Sequence, residues 1–222
     1  MSTRVPGTAP GPRPSPVRTL RRFTEPRPPR PERCELCGVP VAEGNHRHLA
    51  DTEQRSLACA CVPCALLFAR SGAAGGRFRA IPDRWLTDPG HRFDQGAWEL
   101  LRIPVGLAFV FHNTALDRLV ALYPGPAGAT EHELDDTARR TVLDAGPLAA
   151  LLEPDVEALL LHRHEGRTEC HLVPIDSCYE LVGRLRLSWQ GFDGGTGARA
   201  ELRSYFAHIA RRARTVSGTD TA

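Results

Sequence analysis

Cys34-Glu35-Leu36-Cys37-Gly38, followed by Cys61-Val62-Pro63-Cys64-Ala65-Leu66-Leu67-Phe68, is the pair of segments on which the reading of this chain turns. Twenty-three residues separate Cys37 from Cys61, and five of the seven cysteines fall between positions 34 and 64, so a separate cysteine-rich module is expected. A C-x-x-C turn aims two thiolates at one ion while backbone amides soften their charge, and two such turns complete a tetrahedral sulfur shell. The spacing therefore predicts a metal site made of Cys34, Cys37, Cys61 and Cys64. Cys59 offers a third thiol near the same ion, and His46 and His48 lie inside the intervening loop. These three are alternate ligands, although four thiolates already suffice.

The two halves of the motif differ. Cys37 is followed by Gly38, as in a zinc knuckle, whereas Cys64 runs into Ala65-Leu66-Leu67-Phe68, a stretch of good helix formers. A knuckle joined to a helix N-terminus looks like a treble clef, which implies Zn2+. Rubredoxins and zinc ribbons use two knuckles, and the second closing glycine is missing here, so Fe is the alternative metal and a rubredoxin-like redox protein the alternative reading. The order C-x-x-C, paired histidines, C-x-x-C also resembles the scaffold of HNH nucleases. Arg47 rather than Asp precedes His48, however, and Ala65 follows Cys64, which leaves at most an HNH-like nuclease relic.

Working outward, nine prolines and seven arginines crowd residues 1–31. Proline removes donors and forbids helix, so this segment reads as a disordered Pro/Arg-rich tail. The metal module spans 32–72 and ends at the glycines Gly72, Gly75 and Gly76. Beyond it, 76–212 reads as an α+β domain and 213–222 as a disordered C-terminal tail. Apolar runs at 104–111 and 119–123 form one hairpin, and 156–161 with 170–173 a second around Gly166. Thr130-x-x-Glu133 and Ser177-x-x-Glu180 read as capping boxes opening helices. The stripe Leu202, Tyr205, Phe206 and Ile209 marks a last helix over 198–212, and the glycine-rich stretch 191–197 reads as a flexible loop before it. The expected fold is α+β: a treble-clef-like zinc module, then a mainly antiparallel four-stranded sheet with helices packed on one face. Cys170 and Cys178 read as buried small residues and His171 as a surface histidine, rather than as a second site.

Whole-chain composition narrows the chemistry further. All 28 basic residues are arginine. Without lysine there is no ordinary Walker A loop, no pyridoxal Schiff base and no amine nucleophile. Net charge is +2 overall but +6 over residues 1–31 (seven Arg, one Glu), which leaves −4 for the remainder. A basic field able to grip nucleic acid is absent from the body, so nucleic acid is not the expected partner. No apolar run approaches the roughly 18 residues of a membrane span, and no apolar leader opens the chain, which predicts a cytoplasmic protein.

The motifs CELCG (34–38), HRHL (46–49), CACVPCALLF (59–68), IPVGLAF (103–109), YPGPAGATE (123–131) and VPIDSCYELVG (173–183) resemble an uncharacterised family of actinobacterial proteins over residues 32–210. The resemblance implies a gene context beside uptake [NiFe] hydrogenases. The function expected from it is a zinc-binding accessory protein acting through protein–protein contacts, its partner a hydrogenase subunit or maturation factor. No catalytic residues follow from the sequence.

Overall fold

The structure is a computed structural model describing residues 32–216, apart from 43, 69, 71, 92, 192 and 193. The tail expected over 1–31 lies outside the described residues. The described chain is a mixed α+β structure with two sheets.

The smaller sheet is built around the cysteines. Strands β1 (His46–Asp51) and β2 (Ser56–Cys61) form an antiparallel hairpin in which His46 faces Cys61 and His48 faces Cys59. Helix α1 (Val62–Phe68) leaves β2 without a loop, with Pro63 in its first turn, where no backbone donor is needed. A short 3-10 turn (Ala73–Gly76) with left-handed Ala74 and Gly75 then reverses the chain. The glycines at 72, 75 and 76, all with positive φ, shape this reversal of the chain. They return it to the same sheet, where β3 (Phe78–Ala80) pairs with the free edge of β1 to give the order β2-β1-β3. Buried apolar residues here are few and mostly small: Cys34, Leu49, Ala60 and Ala65 form one cluster, with Leu36, Val41, Phe68 and Phe78 at its margin, and Ala50 and Ala58 are buried besides.

The larger sheet comprises β4 (Leu86–Thr87), β5 (Leu107–Asn113), β6 (Arg118–Gly125), β7 (Gly128–Glu133), β8 (Glu157–His164), β9 (Arg167–Pro174) and β10 (Arg214–Thr215). Their order is β10-β4-β9-β8-β5-β6-β7, antiparallel except for the β10–β4 pair. The expected four strands are β5, β6, β8 and β9, and the sheet is larger than expected. Thr130-x-x-Glu133 does not cap a helix. It lies in β7, where backbone bonds to the edge of β6 outweigh a four-residue capping signal. The helix starts later, at α3 (Asp136–Asp144), capped by the Asp135 carboxylate on the amides of Thr137 and Ala138. Within the C-terminal tail expected over 213–222, residues 214–215 form β10, and 217–222 lie outside the described residues.

Helices cover both faces of this sheet, not one. The central strands carry apolar side chains at successive positions, as in Leu107-Ala108-Phe109-Val110-Phe111, so neither face can be left to water. Ala108, Val110, Leu159 and Leu161 pack with Trp98 and Leu101 of α2 (Gln95–Leu101), Ala138 and Val142 of α3, and Leu148 of α4 (Leu148–Leu151). On the other side Leu107, Phe109, Ala158 and Leu160 meet Cys178, Leu181 and Leu185 of α5 (Ile175–Ser188) and Ala198, Tyr205 and Ile209 of α6 (Gly195–Arg212). Ser177 is not an N-cap, because α5 begins two residues earlier; its hydroxyl donates to the Pro174 carbonyl at 2.6 Å and accepts from Tyr205 at 2.9 Å.

Candidate metal centre

Cys34 and Cys37 occupy a tight knuckle. The Cys34 amide donates to the Val39 carbonyl (2.9 Å) and the Gly38 amide to the Cys34 carbonyl (2.8 Å), with Gly38 at φ +75°. Only a residue without a side-chain penalty in that region closes the turn cheaply. Glu35, between the two cysteines, clamps the knuckle onto β2: its amide donates to the Cys59 carbonyl (2.8 Å) and its carboxylate accepts from the Cys59 amide (2.7 Å). Cys61 ends β2 and Cys64 stands in the first turn of α1.

These local structures bring the four sulfurs of Cys34, Cys37, Cys61 and Cys64 within 4.8 Å of one another, with Cys37 and Cys61 at 3.8 Å. A tetrahedral site with Zn–S bonds of about 2.3 Å has S···S edges of about 3.8 Å. The cluster could therefore hold a metal ion with little rearrangement. None of the seven cysteines is in a disulfide. Burial pushes the Cys34 thiol up, but the backbone amides of Cys61, Cys37 and Leu36 outweigh it and bring the group down to about 6. Cys64 is pushed the other way, to about 12, by the Cys37 and Cys61 thiols beside it and by burial. The protein alone thus favours one thiolate and resists a crowd of them, and a divalent cation is the natural way to ionise all four.

His46, His48 and Cys59 do not join this cluster. They gather in a group of their own, with one potential ligand atom from each within 4.8 Å of the others. Asp176, at the start of α5, holds His48: its Oδ2 lies 2.8 Å from His48 Nδ1, while its Oδ1 accepts from the Ser177 amide at 2.8 Å. That hydrogen bond raises the His48 pKa above the ordinary histidine value against the opposing effect of burial. Asp176 lies 128 residues from His48, so no local sequence signal points to this contact.

Cys170 and Cys178 are buried in the cores on opposite faces of the large sheet, and burial pushes both thiols far up. His171 is not a surface residue. It lies beneath Phe206, ring centroids 5.8 Å apart, beside a cavity of about 1030 Å³ that His91, Asp88 and Glu169 also line. Neither ring nitrogen of His171 or His91 has a hydrogen-bond partner.

No curated protein and no solved structure matches the chain. No helix among the described residues is long and apolar enough to cross a membrane. A family of unknown function, DUF5947, matches residues 33–213, which take in the knuckle, the smaller sheet, the larger sheet apart from β10, and every helix described above. The chain belongs to that family.

Proposed function

We propose that the chain is a zinc-stabilised accessory protein that works by binding another protein, with the four-cysteine module as a structural clamp. The observation that carries this reading is the gathering of four thiols within 4.8 Å of one another, with Cys37 and Cys61 at 3.8 Å. Structural zinc sites use four protein ligands and leave no position for substrate, whereas catalytic ones keep a position open. The module also needs such an ion, because a cluster of four buried apolar residues, of which only Leu49 is large, is too small a core to order a knuckle, a hairpin and a seven-residue helix. The succession of knuckle, hairpin and helix supports a treble-clef-like module.

Apolar side chains beside the cluster favour a protein partner: Leu66 and Leu67 on α1 are 68% and 61% exposed, and Val39 on the knuckle is 45% exposed. The resemblance to proteins encoded beside uptake [NiFe] hydrogenases nominates a hydrogenase subunit or maturation factor.

Three measurements test the reading. Protein purified without added metal should contain about one or more zinc ions per chain and show no visible charge-transfer bands. Cys64→Ser should release the cluster's ion and lose amide protection in β1 and β2. Recovery of iron with strong visible absorption would replace this reading with the rubredoxin-like one. Deleting the gene should lower hydrogen uptake at unchanged transcript levels of the structural subunits, and normal uptake removes the hydrogenase assignment.

A further inference from the structure

Directly opposed residues of an antiparallel pair share a face, so His46, Cys61, His48 and Cys59 all stand on one side of the β1–β2 hairpin. Cys61 turns to the knuckle cysteines, and the remaining three form their own group. We infer that His46, His48 and Cys59 are a second metal site, separate from the four-cysteine cluster, which takes one zinc-class divalent ion and leaves a coordination position open.

Three features support the assignment. First, His48 Nδ1 is held by Asp176 at 2.8 Å, which fixes the ring and leaves Nε2 as its remaining donor, in keeping with the carboxylate–histidine–metal arrangement common around bound metals. Second, His46 Nδ1 is buried without a hydrogen-bond partner, an expensive state for an imidazole nitrogen that a coordinated ion would relieve. Third, the surrounding charge is negative. Glu32 Oε2 lies 3.8 Å from His46 Nδ1, Glu32 and Glu180 act on His48, and Glu32 and Glu35 act on Cys59.

Two imidazoles and one thiolate are borderline donors, which suit Zn2+, Co2+ and their neighbours and are poor ligands for Mg2+ or Ca2+. Three protein ligands leave the fourth tetrahedral position to water or an exchangeable donor. The two sites therefore differ in kind, one closed and one open. This inference goes beyond the structural role of the first site and does not depend on it.

The test uses the full chain, stripped of metal under reductant and titrated with Co2+. Two equivalents should bind, the second with a smaller rise in thiolate-to-cobalt absorption because it has one sulfur instead of four. His46→Ala combined with Cys59→Ser should reduce the stoichiometry from two to one and keep the four-sulfur spectrum. Asp176→Asn, on a helix of the large domain, keeps the test valid if that double variant fails to fold. It should weaken the second equivalent by about 10- to 100-fold and leave the first unchanged. A wild-type stoichiometry of one that Cys37→Ser abolishes, or a second equivalent indifferent to Asp176→Asn, overturns the proposal. Failure of the four-cysteine reading looks different: Cys37→Ser would then leave the ion count unaltered.

Discussion

At the scale of single residues, the most demanding environment outside the metal groups belongs to Glu157. It is fully buried at the start of β8, and its carboxylate accepts from Arg84 Nε at 2.7 Å and from Arg84 Nη2 at 2.5 Å. The Glu153 amide adds a third donor at 3.0 Å, while Arg84 also reaches the Leu151 carbonyl at 2.8 Å. A buried pair of this kind adds little beyond an apolar replacement of both partners, but removing one partner strands a charge. Arg84→Met should therefore cost about 3–5 kcal/mol in urea unfolding, and Arg84→Met with Glu157→Leu should recover much of the loss. A cost below about 1 kcal/mol for the single variant would mean that water reaches the carboxylate.

A second residue-scale expectation concerns acid. Burial depresses the pKa values of His91, His162 and His171, with Asp88 and Glu169 opposing it only in part. The folded state keeps these rings neutral, so between their depressed values and about 6.5 the unfolded chain binds more protons. Their contribution is complete above about pH 6.5 and is lost as pH falls through the folded values. His48, raised by Asp176, has the opposite sign and contributes below its unfolded value. With three groups against one, thermal melts should move down between pH 7.5 and 5.5. His162 stacks on Phe206 at 4.1 Å, so His162→Phe keeps the ring contact and should shrink that shift. An unchanged pH dependence would assign the acid sensitivity elsewhere.

At the scale of elements, the glycine-rich stretch before the last helix is the instructive case. Gly195 and Gly197 lie within α6 itself, not in a loop ahead of it. A Cβ on Gly197 would stand 2.7 Å from the Ser188 carbonyl at the end of α5, closer than nonbonded carbon and oxygen tolerate. The residue is glycine because two helix ends meet there. Gly197→Ala should cost about 1–3 kcal/mol through overpacking, even though alanine is the better helix former by nearly 1 kcal/mol. A neutral or stabilised variant in chemical denaturation would show that the α5–α6 junction relaxes freely.

At the scale of the molecule, the small sheet is tied to the large domain by polar contacts across long stretches of chain. Besides His48 and Asp176, Arg79 donates to the Pro154 carbonyl at 2.6 Å, and Arg55 pairs with Glu131 at 3.3 Å. Leu57 of β2 also packs against the core beneath α5 and α6. Residues 1–31 carry a charge of +6. Deleting that segment should leave the melting temperature within about one or two degrees, as expected for a segment that contributes no core. If the segment guides docking to a partner, the deletion should weaken binding at low salt more than at high salt, because exposed charges are screened. A loss of many degrees would instead mean that the arginines pack on the acidic body.

The sequence by itself determined whatever depends on a few neighbouring residues. The C-x-x-C spacing brought out the cysteine quartet, because a tight turn forces two thiols toward one point. Unbroken apolar runs located β5, β6, β8 and β9, and stripes at helical spacing located α5 and α6. The same runs carried a signal for cover on both faces, since the residues from Leu107 to Phe111 do not alternate. Only the tertiary structure decided the rest. β4 and β10 are two residues each and exist through pairing with strands distant in sequence, and β7 became a strand because the edge of β6 was available. Cys59, His46 and His48 parted from the cysteine quartet because cross-strand register and a carboxylate from α5 set their positions. Backbone pairing and long-range ion pairs are made between segments far apart in the chain, and local periodicity carries no record of them.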